Sequence, residues 1–337
     1  WLQGPGRGSP ADVYTRSVRA FAQGLAAALV LSLGAGCGGS APSQAPSAQA
    51  PSGHAPTSGR APGGTIQAVL ARPGPDLPLT PGTSDYAPGP VRLSFLLIDK
   101  EGRSIERPRA RVWVARSATS PILARALARL EPVGVPGVSQ AAAMDVTKIY
   151  VARFRVPAPG RYLVAAEPVG GRRAQGVLEI EVRQKTAAPG VGERAIPSRT
   201  PTLRSARGDV RALTTADPPD VDLLRYSVAD SLHAHAPFVL VFATPRFCTS
   251  RTCGPVVDVV QAVRKRFARS GVRFIHVEIY ERNDPARGPN RFVREWHLPS
   301  EPFTFLVGRD GRIKARFEGA VSVEELAGAV RSHLLGR

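Results

Sequence analysis

The residues best suited to do chemistry are Cys248 and Cys253, which lie in the stretch 237–258, PFVLVFATPRFCTSRTCGPVVD. Before them, residues 238–242 are wholly apolar and rich in β-branched and aromatic side chains, which predicts a strand buried on both faces. Thr244, Pro245 and Arg246 break that run, and Val256, Val257, Val259, Val260 and Val263 then recur at helical spacing. The two sulfurs are therefore expected where a strand hands over to a helix. The first turn of a helix offers free N–H groups and a partial positive charge, and both favour a thiolate over a thiol. The pattern predicts a reactive dithiol, against the blander alternative of a static structural disulfide.

Spacing adds a constraint. On a continuous helix, residues five apart have Cα atoms about 8 to 9 Å apart, whereas a disulfide tolerates roughly 7 Å at most. Cys248 is thus expected in the loop before the helix, unless the first turn unwinds on oxidation. A redox-linked rearrangement of residues 247–253 follows from that.

These residues resemble the thioredoxin-fold superfamily. Counted from the strand, VLVFATPRFC puts Cys248 where that family carries its attacking cysteine. A second match, Glu301-Pro302-Phe303-Thr304-Phe305-Leu306-Val307 followed by the turn Arg309-Asp310-Gly311-Arg312, is similar to the family's cis-proline segment. The resemblance covers about the last third of the chain. It implies that Cys248 attacks a partner disulfide and Cys253 resolves the mixed disulfide. It also implies that the backbone beside Pro302 pairs with the substrate, so that Glu301, Pro302 and Phe303 help to set specificity.

The chain departs from the thioredoxin pattern in having four residues between its cysteines, and in carrying Phe247 where thioredoxins have Trp. Four is the gap in one class of peroxiredoxins, which makes a thiol peroxidase the second reading. That family wants Thr three residues and Pro seven residues before its cysteine, and this chain has Pro245 and Val241 there. A different register aligns Cys253-Gly254-Pro255 with the Cys-Gly-Pro of thioredoxin; Cys248 is preferred as nucleophile because it needs no insertion after the strand. A third reading is a copper-binding or non-catalytic protein, in which His276 or His297 joins the two thiolates as in thioredoxin-fold copper chaperones. No cofactor and no settled metal set is expected. His276 and Glu278 share a strand face and read first as hydrogen-bonded core groups.

The elements that must position this site are spread over 337 residues, enough for about two domains. The three cysteines are too few for a disulfide-stapled scaffold. The net charge of +18 comes mainly from arginines scattered through Ala-, Gly- and Pro-rich sequence, so nucleic acid is not expected as a partner. Arg16 and Arg19 precede an apolar run, residues 21–33, as in an export signal, and a natural start at Val13 would tidy it. Leu33-Gly34-Ala35-Gly36-Cys37 then resembles a bacterial lipobox, which implies lipidation of Cys37 and a place on the outer face of the bacterial cell membrane. The expected partners are the membrane, through that lipid or through the uncleaved signal as an anchor, and the thiols and disulfides of exported proteins.

The expected organisation is multidomain. Residues 1–37 form the signal and lipobox region, 38–64 a disordered Pro-, Ser- and Ala-rich tether, 65–185 an all-β immunoglobulin-like sandwich, 186–220 a connector, and 221–337 an α/β thioredoxin-like fold with a central mixed sheet flanked by helices. Within the β region, residues 121–130 read as a short helix. Near the C-terminus, Ser322 with Glu325 three residues on reads as the start of a closing helix.

Overall fold

The computed structural model describes residues 64–137, 146–248 and 252–336. Cys37 and the tether lie outside the described residues. A short helix α1 (Ile66–Leu70), capped by the Thr65 hydroxyl, leads into seven strands: β1 (Asp76–Pro81), β2 (Gly89–Leu97), β3 (Arg109–Ala115), β4 (Ala124–Pro132), β5 (Lys148–Val156), β6 (Gly160–Pro168) and β7 (Gln175–Val182). They close into a barrel of order β1-β2-β5-β4-β3-β6-β7, antiparallel except where β7 returns to pair in parallel with β1. Leu93, Phe95, Val112, Tyr150, Tyr162 and Val164 fill its interior. Trp113 points the other way, where it packs with Ile66, Val69 and Ile122 under α1.

The fold class expected from the sequence is corrected here. An immunoglobulin-like sandwich keeps two sheets with free edges, whereas pairing β1 with β7 removes both edges at once. Gly176 marks that closure, since a Cβ there would lie 2.8 Å from the Leu77 carbonyl oxygen. The helix expected over 121–130 is strand β4. In ARALARL, Ala124, Ala126, Ala128 and Leu130 alternate onto the barrel core, a period of two that short alanines do not advertise.

The rest of the chain builds a second, four-stranded sheet. A 3-10 turn (Val221–Leu224) and helix α2 (Val228–His233) precede β8 (Phe238–Phe242). Helix α3 (Cys253–Arg266), β9 (Arg273–Val277), helix α4 (Arg291–Glu295), β10 (Phe303–Val307), β11 (Ile313–Glu318) and helix α5 (Val323–Leu334) follow. The order is β11-β10-β8-β9, with β8 and β9 parallel and the other pairs antiparallel. On one face, Val256, Val259, Val260 and Val263 of α3 and Leu326 and Val330 of α5 cover Val239, Val241 and Leu306.

The other face is not the full helical layer that was expected. Its helices are only 6 and 5 residues long, and Ala188 and Ala195 of the irregular connector complete the cover over Phe238, Leu240 and Phe305. A closed barrel and a second sheet with few helices therefore replace the expected sandwich and conventional α/β layering. Trp296, fully buried, fills the gap on the thinly covered face, its ring 4.8 Å from that of Phe305 and tilted 52° to it, and it donates its indole N–H to Ser198 Oγ at 3.1 Å.

Barrel and sheet meet along a polar seam. The Glu318 carboxylate at the end of β11 accepts from the Ser84 and Asp85 N–H groups, both at 2.9 Å, and from the Ser84 and Ser300 hydroxyls, both at 2.7 Å. Arg92 of β2 forks onto Glu325 of α5 at 2.7 and 2.8 Å and donates to the Ala320 carbonyl at 2.7 Å. Glu325 also meets Arg153, and Arg316 pairs with Asp85 at 2.7 Å. The Ser322 hydroxyl caps α5 by accepting from the Glu325 N–H at 3.1 Å, while the Glu325 carboxylate turns to the barrel.

Candidate active site

The parallel pair β8 and β9 ends at one edge of the second sheet, since Phe242 and Val277 are in register. Whatever follows those strands collects at that edge. Ala243 and Thr244 continue from β8, and the turn Thr244 to Phe247 closes with the Phe247 N–H donating to the Thr244 carbonyl at 3.3 Å. Cys248 follows in the loop, half-buried, and Cys253 is the first residue of α3 and fully buried. Neither sulfur is in a disulfide. The Cys253 backbone N–H donates to Cys248 Sγ at 3.2 Å. Cys248 thus stands outside the helix with its sulfur at the N-terminal turn, an arrangement that favours negative charge on that sulfur.

The sulfurs differ in environment. Burial pushes the Cys253 thiol well above the ordinary cysteine range, the adjacent Cys248 sulfur and the Glu301 carboxylate push it the same way, and a backbone hydrogen bond at Thr244 opposes them. Cys253 is therefore held protonated until a partner charge or bond changes its surroundings.

Glu301 completes the cluster. One of its carboxylate oxygens and the two sulfurs all lie within 4.8 Å of one another. The Glu301–Pro302 bond is cis, and Pro302 leads directly into β10. Its carbonyl accepts from the Gly319 N–H at 2.9 Å, which ties this loop to the end of β11. Phe303 is fully buried, its ring 5.5 Å from Phe305 and under the Arg316 guanidinium at 5.1 Å.

The two histidines stand apart from this cluster. His276 is buried with Nε2 3.0 Å from the Ala243 carbonyl oxygen and Nδ1 3.3 Å from Thr214 Oγ1, so both ring nitrogens are engaged in supporting the end of β8. His297 is exposed just past α4, at φ 48. Among the described residues, the metal-ligand types that converge are Cys248, Cys253 and Glu301. Two soft sulfurs and one carboxylate would suit a soft or borderline cation.

Two features of the site went unnoticed in the sequence. Tyr280 lies three residues past the end of β9, and its hydroxyl is raised above the ordinary tyrosine value by burial first and then by Glu301, Cys248 and Cys253. Parallel pairing of β8 with β9 is the signal that places it, because it brings both following loops to one edge. The second is a brace beneath the cysteine loop. The Arg246 N–H donates to Thr215 Oγ1 at 3.2 Å, and the same hydroxyl donates to Glu278 Oε1 at 2.8 Å. Glu278 is therefore joined through Thr215 to the turn that precedes Cys248.

No known family's sequence pattern matches the chain, and no curated protein matches it. Among solved structures, the chain is similar to a thiol:disulfide interchange protein of the thioredoxin family from Chlorobium tepidum TLS, at 15% identity and a TM-score of 0.24. The match covers 42% of this chain and 99% of that one. A likeness of that size adds nothing to the geometry above.

Proposed function

We propose that this chain is a thiol–disulfide oxidoreductase that works through Cys248 and Cys253. The observation that carries the reading is the asymmetric sulfur pair, with Cys248 partly exposed under an N–H donor at 3.2 Å and Cys253 buried behind it. In the reducing direction, the Cys248 thiolate attacks a partner disulfide. A Cys248–partner S–S bond forms, the partner's own S–S bond breaks, and its departing thiolate takes up a proton. Cys253 then gives up its proton and attacks Cys248 Sγ, releasing the second partner thiol. Two electrons pass from the dithiol to the partner, and Cys248–Cys253 is left as a disulfide.

Glu301 stands where the Cys253 proton must go, and a carboxylate beside a thiol held high by burial is the local group suited to receive it. The proposed partners are disulfides or thiols of exported proteins, met by a chain held at the outer face of the cell membrane through Cys37. The export-like segment and lipobox-like residues support that placement. Among the described residues, no helix is long and apolar enough to cross a membrane. A second reading, favoured by the Glu301 carboxylate beside two thiols, is a protein that holds a soft cation without turnover.

Trapping separates the two. With a disulfide substrate such as insulin, Cys253→Ser is expected to accumulate a covalent adduct through Cys248, and Cys248→Ser to form none and to lose reductase activity entirely. Absence of an adduct in Cys253→Ser, with Cys248 still alkylated by iodoacetamide, would overturn the oxidoreductase reading.

A further inference from the structure

A cavity of about 370 Å³ lies in the seam between barrel and second sheet, and it reaches the sulfur site. Thr252, the residue before α3, and Glu301, whose carboxylate lies beside both sulfurs, belong to its wall. The barrel supplies Leu96, Val133 and Ile149, and the sheet side supplies Ala320. Val133, Ile149 and Ala320 form one apolar cluster across the seam, with Leu96 packed against it. The volume is in the range of cavities that take an organic ligand, and it exceeds one aliphatic side chain.

Beyond Glu301 and Thr252 at the rim, the polar side chains of the wall are already committed. Both oxygens of Glu318 are taken by four donors, and Thr83 Oγ1 lies 2.7 Å from Tyr86 Oη and accepts from the Ser94 N–H at 3.1 Å. A charged or strongly polar occupant would exchange water for a wall with little left to give it. An apolar group loses nothing on entry and removes hydrocarbon surface from water.

The geometry points to the seam cavity as the binding site for an apolar side chain next to the cysteine of a polypeptide substrate, with the barrel wall setting that preference. This rests on the oxidoreductase reading. Once Cys248 Sγ is bonded to a substrate sulfur and the other substrate sulfur has left as a thiol, the residues flanking the bonded cysteine are held against Glu301 and Thr252. Those two residues are also the rim of the cavity. The barrel is thereby a specificity element of the dithiol site, in addition to any role as a spacer.

The test compares two disulfide-linked peptides that differ only in carrying leucine or serine beside the cysteine, with a small aromatic disulfide, 5,5′-dithiobis(2-nitrobenzoate), as a probe that needs no cavity. The full chain is expected to react with the leucine peptide about tenfold faster than with the serine peptide. Filling the cavity by Leu96→Trp is expected to abolish that preference and leave the small-disulfide rate unchanged. Should Leu96→Trp not fold, Ile149→Ala makes the opposite change, and a third peptide carrying phenylalanine is expected to overtake the leucine peptide in the enlarged cavity.

Equal rates for the two peptides with the unaltered chain, or a preference that survives both variants, would overturn the cavity assignment while leaving the dithiol chemistry standing. No reaction with either peptide or with the small disulfide, at a rate above that of Cys248→Ser, would overturn the oxidoreductase reading and the cavity assignment together.

Discussion

Asp258 lies on α3 five residues after Cys253, and its Oδ2 is buried without a hydrogen-bond partner. Burial pushes its carboxyl from an ordinary 3.8 up to about 6. In the unfolded chain the group returns to its ordinary value, so between about pH 4 and pH 6 the folded state binds the proton more tightly. Folding stability therefore falls as pH rises through that window, and the penalty stays in full above it. Asp258→Asn removes the charge and keeps the shape. Its expected gain is about 1 kcal/mol at pH 7, a figure reduced from the full shift because water reaches part of the carboxyl, and close to nothing at about pH 3. Urea unfolding of both proteins at the two pH values checks this, and a gain that is the same at both would show that the charge is not the cause.

The sulfur positions themselves were legible in the sequence, since a buried apolar run, a Thr-Pro-Arg break and a valine stripe define a strand-to-helix corner. The convergence of Glu301 was legible only through its place before a proline and a strand. The bonds that support the loop were not, because the Arg246–Thr215–Glu278 brace joins residues 31 and 63 positions apart, and no local pattern records such pairings.

At the level of elements, the joint between β11 and α5 brings sheet backbone close against barrel backbone. Gly319 has φ +70, and a Cβ on it would stand 2.5 Å from the Gly82 carbonyl oxygen, a backbone atom with no rotamer to yield. Gly319→Ala is expected to cost about 2 to 4 kcal/mol, combining left-handed strain with overpacking. Gly271, at φ +78 with nothing within 4 Å of its would-be Cβ, serves as the comparison. There alanine meets only the backbone term, about 1 kcal/mol. Equal losses at the two positions in urea unfolding would mean that the seam yields.

Strands were easier to read than their closure. Alternation in Val91, Leu93, Phe95 and Leu97 marks one buried face, but it does not say whether that face looks across to a second sheet or into a barrel. That choice rests on the parallel return of β7 to β1, a pairing of Asp76 with Gln175 across almost the whole barrel sequence. In β4, alanines that make room in a closed interior read equally well as helix formers.

For the whole molecule, the question is what makes barrel and sheet a single body able to hold a cavity between them. A net charge of +18 gives no hint of it, since the seam collects carboxylates, Asp85, Glu318 and Glu325, against a minority of the arginines. Arg92 is the centre of that arrangement. Its side chain is 13% exposed and Glu325's is 7% exposed, so the pair is largely out of water. Breaking a buried pair from one side leaves an uncompensated charge and costs about 3 to 5 kcal/mol, whereas replacing both members by apolar groups of similar volume is often close to neutral.

The two single changes are not equivalent here. Glu325→Gln strands Arg92 but leaves it the Ala320 carbonyl at 2.7 Å and the Glu318 carbonyl at 3.3 Å. Arg92→Met strands Glu325, which still meets Arg153. It also leaves the Ala320 and Glu318 carbonyls without the guanidinium that bridges sheet to barrel. Arg92→Met is therefore expected to be the more damaging, by about 1 kcal/mol, and the double change Arg92→Met with Glu325→Gln to cost less than the sum of the two single changes, with the loss due to the two carbonyls remaining. Urea unfolding of the three variants reads this directly. Additive losses in the double change would mean that Arg92 and Glu325 act independently, and that other contacts of the seam, those of Glu318 and Asp85 among them, hold its walls together.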